Sequence, residues 1–348
     1  MSAAPARLLG VATALPPHRF SQAEARAAAA AVFADAFPDI DRLLPLYENS
    51  GIGFRNSARP LAWHASGHGF AERNRVFLET AETLLSDCAL RAIAQAGLAV
   101  ADIDAVVAVC STGIATPGLD AIVAERIGLR PDVVRTPIFG LGCGGGVMGV
   151  SRAAALARAE PGSRVLLLVV ELCTLALRLT DRSKANLVAC ALFGDGAGAV
   201  VLSTEGDGPA VVASGEHRWP NSLDVMGWTI QDDGLGVLFS VRVPEVVRRH
   251  MRGATDTFLE RAGRRRAAID GWICHPGGAK VVSGLEEALE LGPEATALSR
   301  QVLHDCGNMS AASVLFVLER TLARPDWTQG LMLAMGPGFS AGFALLER

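Results

Sequence analysis

The segment AVVAVC at residues 105–110 is the stretch that decides the fold class. Six apolar residues rich in valine predict a strand that is buried on both faces. The runs VLLLVV at 165–170 and GAVVL at 198–202 have the same character, and alanine-rich segments with helical spacing lie at 77–96 and 146–159. Strands that alternate with helices in this way predict an α/β protein with mostly parallel strands.

The second half of the chain repeats this alternation more loosely. A strand is predicted to end at 272–274, and helices are predicted at 284–291 and 308–323. A further strand at 330–335 precedes the glycine-rich turn at 336–338. The order of elements therefore suggests two similar α/β halves, although no residue-level repeat is evident.

The polar, glycine-rich stretch STEGDGP at residues 203–209 predicts the boundary between these halves. Such composition is typical of a turn or linker rather than of a buried element. We therefore expect an N-terminal half over residues 1–205 and a C-terminal half over residues 206–348.

The composition of the 348-residue chain excludes disorder and argues against a nucleic-acid partner. Half of the residues (50%) are hydrophobic and only 20% are charged, whereas disordered chains are poor in apolar residues. The net charge of −4 offers no excess of positive charge for a phosphate backbone. The longest apolar stretch, 165–177, contains Glu171 and is shorter than the roughly 20 residues of a membrane helix.

The seven cysteines predict a reducing compartment. Their number is odd, no CxxC motif occurs, and most lie in apolar runs where a buried thiol is usual. Residues 1–15 lack the basic start and unbroken apolar core of a signal peptide. We therefore expect a cytoplasmic protein without a membrane span.

Cys143 lies in the turn GLGCGGG at residues 140–146, directly before a predicted helix. Glycines clear space around the thiol and allow backbone angles that are closed to other residues. The positive end of a helix dipole lowers the pKa of a nearby thiol, and the resulting thiolate is a nucleophile. Two interpretations stay open for this motif alone: a catalytic nucleophile, and a tight strand-to-helix turn that contains a cysteine.

His275 and Asn308 are the candidate partners of this cysteine. His275 follows a strand in CHPGG at 274–278, and Asn308 precedes a helix in GNMSAAS at 307–313. Taken singly, the first can be a histidine at a strand end and the second a helix N-cap. Taken with Cys143, they can stabilise a thiolate and a developing oxyanion. Since Cys274 and His275 point to opposite faces of a strand, we expect no metal site.

Five motifs resemble those of the type III polyketide synthases, the chalcone-synthase-like family of thiolase-fold condensing enzymes. They are GLGCGGG at 140–146, LFGDGAGA at 192–199, CHPGG at 274–278, GNMSAAS at 307–313 and MGPGF at 335–339. The likeness extends from Arg7 to the C-terminus. STGIATPG at 111–118 and VELCTLALR at 170–178 resemble the bacterial branch that makes alkylresorcinols and alkylpyrones.

The resemblance implies a thiolase-like α/β fold with two similar halves in a layered α-β-α-β-α arrangement. It also implies that Cys143 takes a starter acyl group from coenzyme A, while His275 and Asn308 bind the thioester carbonyl of malonyl-CoA and stabilise the enolate formed on decarboxylation. The expected starter is a fatty acyl-CoA of medium or long chain, and the expected product is an alkylpyrone, an alkylresorcinol or a related phenolic. No metal, flavin or nicotinamide cofactor is implied, because coenzyme A thioesters are the substrates.

Two alternatives remain at this point. One is an enzyme similar to ketoacyl-carrier-protein synthase III, which stops after a single condensation, although HPGG stands at 275–278 where such enzymes more often have HQAN. The other is an inactive relative that serves as a scaffold or dimer partner, since fold alone does not establish activity. The presence of Cys143, His275 and Asn308 argues against the second alternative.

The resemblance also assigns residues to the substrate cavity. Phe193 matches the gatekeeper aromatic, and Val237 stands where plant enzymes carry a second phenylalanine. Cys173 and Ala176 replace threonines that line the plant pocket, and the small Ala176 would enlarge the cavity. Gly227 matches a position where side-chain bulk limits cavity length.

Further assignments from the resemblance concern ring closure, coenzyme A and the subunit interface. A hydrogen-bonded set associated with aldol-type closure matches Thr112, Glu171 and Ser310. The residues matched to coenzyme A binding are Arg55, Gly277, Gly278 and Lys280. The family is homodimeric, and Thr116 stands where the partner subunit's cavity is touched in plant enzymes. An acyl carrier protein is a further candidate donor of the starter.

Overall fold

The computed structural model describes residues 4–178, 180–240 and 242–348. Residues 1–3, 179 and 241, which belong to the two predicted halves, lie outside this description. The strands are β1 (Ala6–Ala14), β2 (His18–Ser21), β3 (Phe54–Ser57), β4 (Ala105–Cys110), β5 (Val134–Phe139), β6 (Val165–Leu172), β7 (Asp195–Ser203), β8 (Ala210–Arg218), β9 (Met226–Gln231), β10 (Gly234–Phe239), β11 (Gly271–Cys274), β12 (Gln329–Gly336) and β13 (Ser340–Glu347). The α-helices are α1 (Gln22–Phe33), α2 (Pro45–Glu48), α3 (Leu61–His64), α4 (Phe70–Gln95), α5 (Leu119–Ile127), α6 (Gly145–Ala159), α7 (Lys184–Leu192), α8 (Val243–Arg261), α9 (Ala279–Leu289), α10 (Ala297–Cys306) and α11 (Ser313–Leu322).

Nine strands form one continuous mixed sheet in the order β11-β12-β13-β8-β1-β7-β6-β4-β5. The two halves are joined where β1 pairs with β8, with Ala6 opposite Val211. Only the pairs β4–β5, β4–β6 and β11–β12 are parallel among the described strands, so the prediction of mostly parallel strands is wrong. The reason is that β6 and β7 are buried along their whole length between helices. Burial on both faces gives a strand its continuous apolar pattern, whichever way it pairs.

The N-terminal and the C-terminal strands of the sheet both pack against one central helical layer, and outer helices on each half complete the predicted five layers. Val107 and Val109 of β4 face α6 and α11, which form the central helical layer. Val106 and Ala108 of the same strand face α4 and α5, which form one outer layer. Helices α8 and α9 cover the outer face of the C-terminal strands. The α-β-α-β-α arrangement is therefore present.

Several element boundaries differ from the sequence prediction. Strand β4 covers the predicted residues, but α4 begins at Phe70 rather than at residue 77. The predicted helix at 308–323 is interrupted at its start, because a 3-10 turn at Ser310–Ala312 precedes α11. Ser310 has a φ of +47°, a backbone conformation that L-residues rarely adopt, so a regular helix cannot begin at Asn308.

Glycines allow the turn of Cys143 to approach the turn of Ser310. A Cβ atom on Gly146 would lie 2.3 Å from the Ala311 carbonyl oxygen. Gly142 has a φ of +47°, and a Cβ atom there would lie 2.6 Å from the Pro337 ring. A larger residue at Gly146 would push the turn of Cys143 away from the turn of Ser310, and one at Gly142 would push it away from Pro337. No helix in the described residues is long and apolar enough to cross a bilayer.

Candidate active site

Cys143 lies in the 3-10 turn Gly142–Gly144, between β5 and the start of α6. Its thiol is unpaired and partly accessible, and it lines a cavity with Ser310 and Pro337 from the C-terminal half. The Gly142 amide donates to the Ser111 hydroxyl at 3.0 Å, which anchors the turn to the end of β4. The nucleophile candidate is thus held at the junction of the two halves.

Burial raises the pKa of the Cys143 thiol to about 11. Hydrogen bonding from Ser310 and Asn308 favours the thiolate, while the nearby Glu171 carboxylate opposes it. The net shift is opposite in direction to the one predicted from the helix end alone, because loss of solvation outweighs the favourable polar neighbours. Cys143 is a neutral thiol at neutral pH in this geometry.

His275 follows β11 and is 3% exposed. Its backbone amide donates to the Leu333 carbonyl at 2.8 Å, which fixes the loop to β12. Among the described residues, neither ring nitrogen has a hydrogen-bond partner. Burial lowers the pKa of the imidazole to about 4, so the ring is neutral at neutral pH. A neutral imidazole presents one N–H donor and one acceptor, and both remain available to a substrate.

Asn308 has its side-chain amide fixed on both sides. Its Oδ1 accepts from the Ser310 amide at 2.8 Å, and its Nδ2 donates to the Gly277 carbonyl at 3.1 Å. This carbonyl belongs to the loop of His275, so Asn308 connects that loop with the turn facing Cys143. The second N–H of Nδ2 remains for the Cys143 sulfur or for a substrate oxygen. The simple N-cap interpretation does not hold, because Asn308 precedes the 3-10 turn rather than a regular helix.

Thr112, Glu171 and Ser310 form the hydrogen-bonded set expected from the resemblance. The Thr112 hydroxyl donates to Glu171 at 2.7 Å, the Ser111 amide donates at 3.1 Å, and the Ser310 hydroxyl donates at 3.5 Å. Glu171 is fully buried, and burial raises the pKa of its carboxyl to about 7 despite these donors. The carboxyl group can therefore take up or release a proton near neutral pH.

The cavity at Cys143 is small, with a volume of about 30 Å³. Phe193, Cys173, Gly227 and Val237 line it, as expected. Since one water needs roughly 10–15 Å³, this space holds two or three water-sized groups. Ala176 instead lines a neighbouring cavity of about 10 Å³ together with Thr112. The expectation that Ala176 widens the cavity at the cysteine is therefore not met.

The hairpin β9–β10 supplies cavity residues that the sequence analysis missed. Met226, Trp228 and Phe239 line the space above Cys143, and the rings of Trp228 and Phe193 lie 6.3 Å apart. The hairpin forms its own two-stranded sheet outside the nine-stranded one. Its alternating apolar residues signal strands, but nothing in that pattern shows which face meets the cysteine.

Arg55 does not have the position expected of a residue that binds coenzyme A. It is 2% exposed, and its Nη1 donates to the carbonyls of Cys190 at 2.7 Å and Phe193 at 2.8 Å. Burial lowers the pKa of its guanidinium to about 10. The assignment of Arg55 to phosphate binding is therefore wrong, because the side chain points into the protein.

The other residues matched to coenzyme A lie at the start of α9. Gly277 and Gly278 are buried beside Asn308, and Lys280 is exposed in the first turn of the helix. Within the described ranges, no group of three or more His, Cys, Asp and Glu residues could hold a metal ion.

Two family models cover most of the chain. The model described as chalcone and stilbene synthases, N-terminal domain, matches residues 60–206, and the corresponding C-terminal domain matches residues 210–347. The chain belongs to the chalcone and stilbene synthase family. It is therefore a type III polyketide synthase, an enzyme of the acyltransferase type. Enzymes of this family use coenzyme A thioesters and are typically dimeric.

Individual relatives agree with this membership. A 1,3,6,8-tetrahydroxynaphthalene synthase from Streptomyces peucetius subsp. caesius is 42% identical, over 97% of this chain and 92% of the relative. The crystal structure of 1,3,6,8-tetrahydroxynaphthalene synthase from Streptomyces coelicolor A3(2) superposes with a TM-score of 0.94 at 28% identity, covering 98% of this chain and 99% of that one. PKS-I from the brown alga Ectocarpus siliculosus superposes with a TM-score of 0.92 at 30% identity, covering 100% and 99%.

Proposed function

We propose that this polyketide synthase loads an acyl group from coenzyme A onto Cys143 and extends it repeatedly with malonyl-CoA. The observation that carries the proposal is the buried His275 ring, whose two nitrogens have no partner in the described part of the protein. A buried polar group without a partner is costly, so it is retained where a substrate supplies the partner. Asn308 adds an oriented amide donor at the same loop.

The loading step needs a proton acceptor, because Cys143 is a thiol at neutral pH. We propose that His275 accepts this proton as Sγ attacks the thioester carbonyl of the starter. The C–S bond to coenzyme A breaks, the coenzyme A thiolate leaves and takes up a proton, and acyl-Cys143 remains. Because the pKa of the Cys143 thiol is raised and the pKa of the His275 imidazole is lowered, both groups are uncharged before the substrate binds.

The extension step uses the same donors on a second substrate. Malonyl-CoA binds with its thioester carbonyl oxygen facing an N–H of His275 and the second N–H of Asn308 Nδ2. Loss of CO₂ leaves an enolate, whose negative oxygen these donors stabilise. The enolate carbon attacks the acyl-Cys143 carbonyl, the new C–C bond forms, and the Cys143 sulfur leaves. Return of the lengthened chain from coenzyme A to Cys143 starts the next cycle, and we propose that no metal or redox cofactor takes part.

We propose a short starter and a polyhydroxylated aromatic product. The small cavity at Cys143 is walled by the aromatic rings of Phe193, Trp228 and Phe239, which leave little length for an alkyl chain. The relative at 42% identity is a tetrahydroxynaphthalene synthase, and a naphthalene nucleus carries no alkyl tail. A malonyl or acetyl starter fits both observations.

A fatty acyl starter, with an alkylpyrone or alkylresorcinol product, is the second candidate. It is favoured by the small residues in the cavity wall, since a Cβ atom on Gly227 would meet only Pro337, at 4.0 Å. Val237 faces the same space, and the cavity beside Ala176 lies next to it. A single condensation on a carrier-protein-bound starter remains the third outcome to be tested.

One assay distinguishes these candidates. The purified protein is mixed with malonyl-CoA and a series of starters from acetyl-CoA to stearoyl-CoA, with EDTA present in a parallel series, and products are identified by mass spectrometry. Aromatic polyketides from malonyl-CoA alone, absent with Cys143→Ala and unaffected by EDTA, support the short starter. A preference for long acyl-CoA supports the second candidate. Single-extension products, or activity only with acyl carrier protein, support the third.

For ring closure we propose that Glu171, with Thr112 and Ser310, takes part in an aldol-type reaction. The buried carboxyl lies beside the cysteine turn and titrates near neutral pH, which suits a group that gives and takes protons at a polyketide chain. The Glu171→Gln variant keeps the shape and removes the titration. Products closed by lactone formation in place of aldol closure are expected from this variant, with total malonyl-CoA consumption retained.

We further propose a homodimer formed along β5. This strand lies at one edge of the sheet, and its ends carry exposed Val134 (54%) and Phe139 (58%). Ile114 and Thr116 are exposed on the neighbouring segment. Exposed apolar residues on a sheet edge are typical of an interface. Sedimentation of Phe139→Asp as a monomer would support this interface, and an unchanged dimer would exclude it. The cytoplasmic location stays a prediction.

A further inference from the structure

A second cavity lies outside the cysteine site, between α1, the loop after α3 and the residues that follow β6. Its volume is about 90 Å³, several times the roughly 10–15 Å³ that one water needs. Ala25, Ala29, Val32 and Phe33 of α1 form an apolar wall. The polyketide chemistry proposed above does not account for this space, and neither do Gly277, Gly278 and Lys280, the residues still matched to coenzyme A.

Two polar side chains face this cavity without the partners that burial requires. Tyr47 is 1% exposed and Arg55 is 2% exposed, and both line the cavity. The Tyr47 hydroxyl and the Arg55 Nε have no hydrogen-bond partner among the described residues. Leaving such groups unpaired and buried destabilises the folded state. The Arg55 Nε can only donate, and the Tyr47 hydroxyl can donate as well as accept, so one acceptor can satisfy both groups.

The charge of Arg55 specifies an anionic acceptor. Within the described ranges the guanidinium forms no ion pair: its Nη1 donates to two backbone carbonyls, and the Phe20 ring lies 5.0 Å from it. The nearby Asp195 carboxylate is occupied by the Ala58 amide and by the amide and hydroxyl of Thr174. Asp195 therefore acts on Arg55 only at longer range, and a buried cation that contacts no anion directly is unfavourable. His64, which also lines the cavity, is neutral because burial lowers its pKa to about 4.

We propose that this cavity, which we name the Arg55 cavity, binds a short straight-chain monocarboxylate. The carboxylate accepts from Arg55 Nε and the Tyr47 hydroxyl, and the alkyl chain lies along Ala25, Ala29 and Val32 of α1. The volume holds roughly six to nine water-sized groups, which fits hexanoate. The same guanidinium holds the Phe193 carbonyl, so the ligand is linked to the wall of the Cys143 cavity.

The test is calorimetric titration of the intact protein with hexanoate, with hexan-1-ol as the uncharged match and benzoate as the aryl match. We expect one hexanoate per chain, with the alcohol bound at least about tenfold more weakly because it cannot neutralise Arg55. Binding of benzoate but not of hexanoate would show that the cavity selects aromatic acids, and would overturn the straight-chain assignment.

Variants locate the binding. Ala29→Leu fills the cavity and should abolish binding, whereas Ala27→Leu, on the exposed side of the same helix, should leave it unchanged. Tyr47→Phe should weaken binding about tenfold and leave the melting temperature without ligand unchanged or higher, because it removes an unpaired hydroxyl. Cys143→Ala should bind hexanoate normally.

The proposal is overturned by any of three results: no binding at millimolar hexanoate, equal affinity for the alcohol, or equal binding by folded Ala29→Leu. Loss of hexanoate binding in Cys143→Ala would show that the acid binds in the catalytic cavity, and this result would also overturn the proposal. These outcomes are independent of the polyketide reaction, which the product assay tests separately.

Discussion

Glu171 and His275 are both buried, and both belong to segments that contact the turn of Asn308 and Ser310, but their surroundings are opposite. Glu171, at the end of a strand in the N-terminal half, accepts from Ser111, Thr112 and Ser310. His275, in the C-terminal half, has no side-chain partner among the described residues. A group whose polar atoms are satisfied by the protein contributes to the stability of the native state. A group whose atoms are left unpaired is available for a substrate. The predictions below test this difference.

The largest expected effect is on turnover in His275→Ala. Removal of the oxyanion donor should lower kcat/KM for malonyl-CoA by about 100- to 1000-fold. Stability should change little, because no internal hydrogen bond is lost. His275→Gln, which keeps an N–H donor, should recover part of the activity. Steady-state kinetics and thermal melting measure the two effects, and a large loss of melting temperature with normal turnover would make His275 structural.

In contrast to His275→Ala, the Glu171→Ala variant should lose stability. The variant leaves three buried donors without their acceptor, and we expect the free energy of unfolding to fall by about 2–4 kcal/mol. Chemical denaturation measures this loss. Glu171→Gln, which preserves an acceptor oxygen, is the matched control and should lose clearly less. Equal stability of all three proteins would contradict the structural role assigned to Glu171.

The stability of the protein should depend on pH through Glu171. Burial raises the pKa of this carboxyl from 4.5 to about 7, so the folded state holds the proton more tightly than the unfolded state. Its stabilising contribution is complete below pH 4.5 and is lost as pH rises through 7. Between pH 5.5 and 8.5 the wild type should therefore lose about 2 kcal/mol relative to Glu171→Gln. If the difference in unfolding free energy between the wild type and Glu171→Gln were the same at both pH values, the raised pKa would be contradicted.

The smallest effect concerns the choice of starter. Trp228→Ala removes an aromatic wall of the Cys143 cavity without touching His275 or Glu171. Relative kcat/KM for octanoyl-CoA over acetyl-CoA should rise about tenfold, since extra methylenes in an apolar pocket change selectivity by this order. Ile230→Ala, an exposed position further along the same strand, is the control. An unchanged preference would show that the hairpin does not limit the starter.

The local features of the site could be predicted from the sequence, whereas its surroundings could not. The Cys143 turn, the His275 loop and the Asn308 segment are short motifs whose glycines and small residues indicate close approach. The burial of Arg55 is different. Arg55 lies in the short strand β3, which is covered by α1 and by α7, and α7 is far from β3 along the chain. The interruption at Ser310 is set by its contacts with Asn308 and Glu171 rather than by helix propensity.

Strand direction and the part of the cavity wall formed by Met226, Trp228 and Phe239 could not be predicted from the sequence. A strand that is apolar on both faces has the same pattern in parallel and antiparallel pairs, so β6 and β7 gave no sign of their pairing. Both faces of the hairpin β9–β10 carry apolar residues. Only the folded arrangement shows that Trp228 and Phe239 line the cavity at Cys143.

The central claim is that His275 and Asn308 act on malonyl-CoA while Cys143 carries the growing chain. The most direct measurement is the release of labelled CO₂ from malonyl-CoA by Cys143→Ala and by Asn308→Ala, with acyl-Cys143 followed by intact-protein mass spectrometry. We expect Cys143→Ala to release CO₂ without forming a product. We expect Asn308→Ala to form acyl-Cys143 and to release CO₂ about 100-fold more slowly than wild type. Loss of CO₂ release in Cys143→Ala, or normal release in Asn308→Ala, would contradict this division of roles.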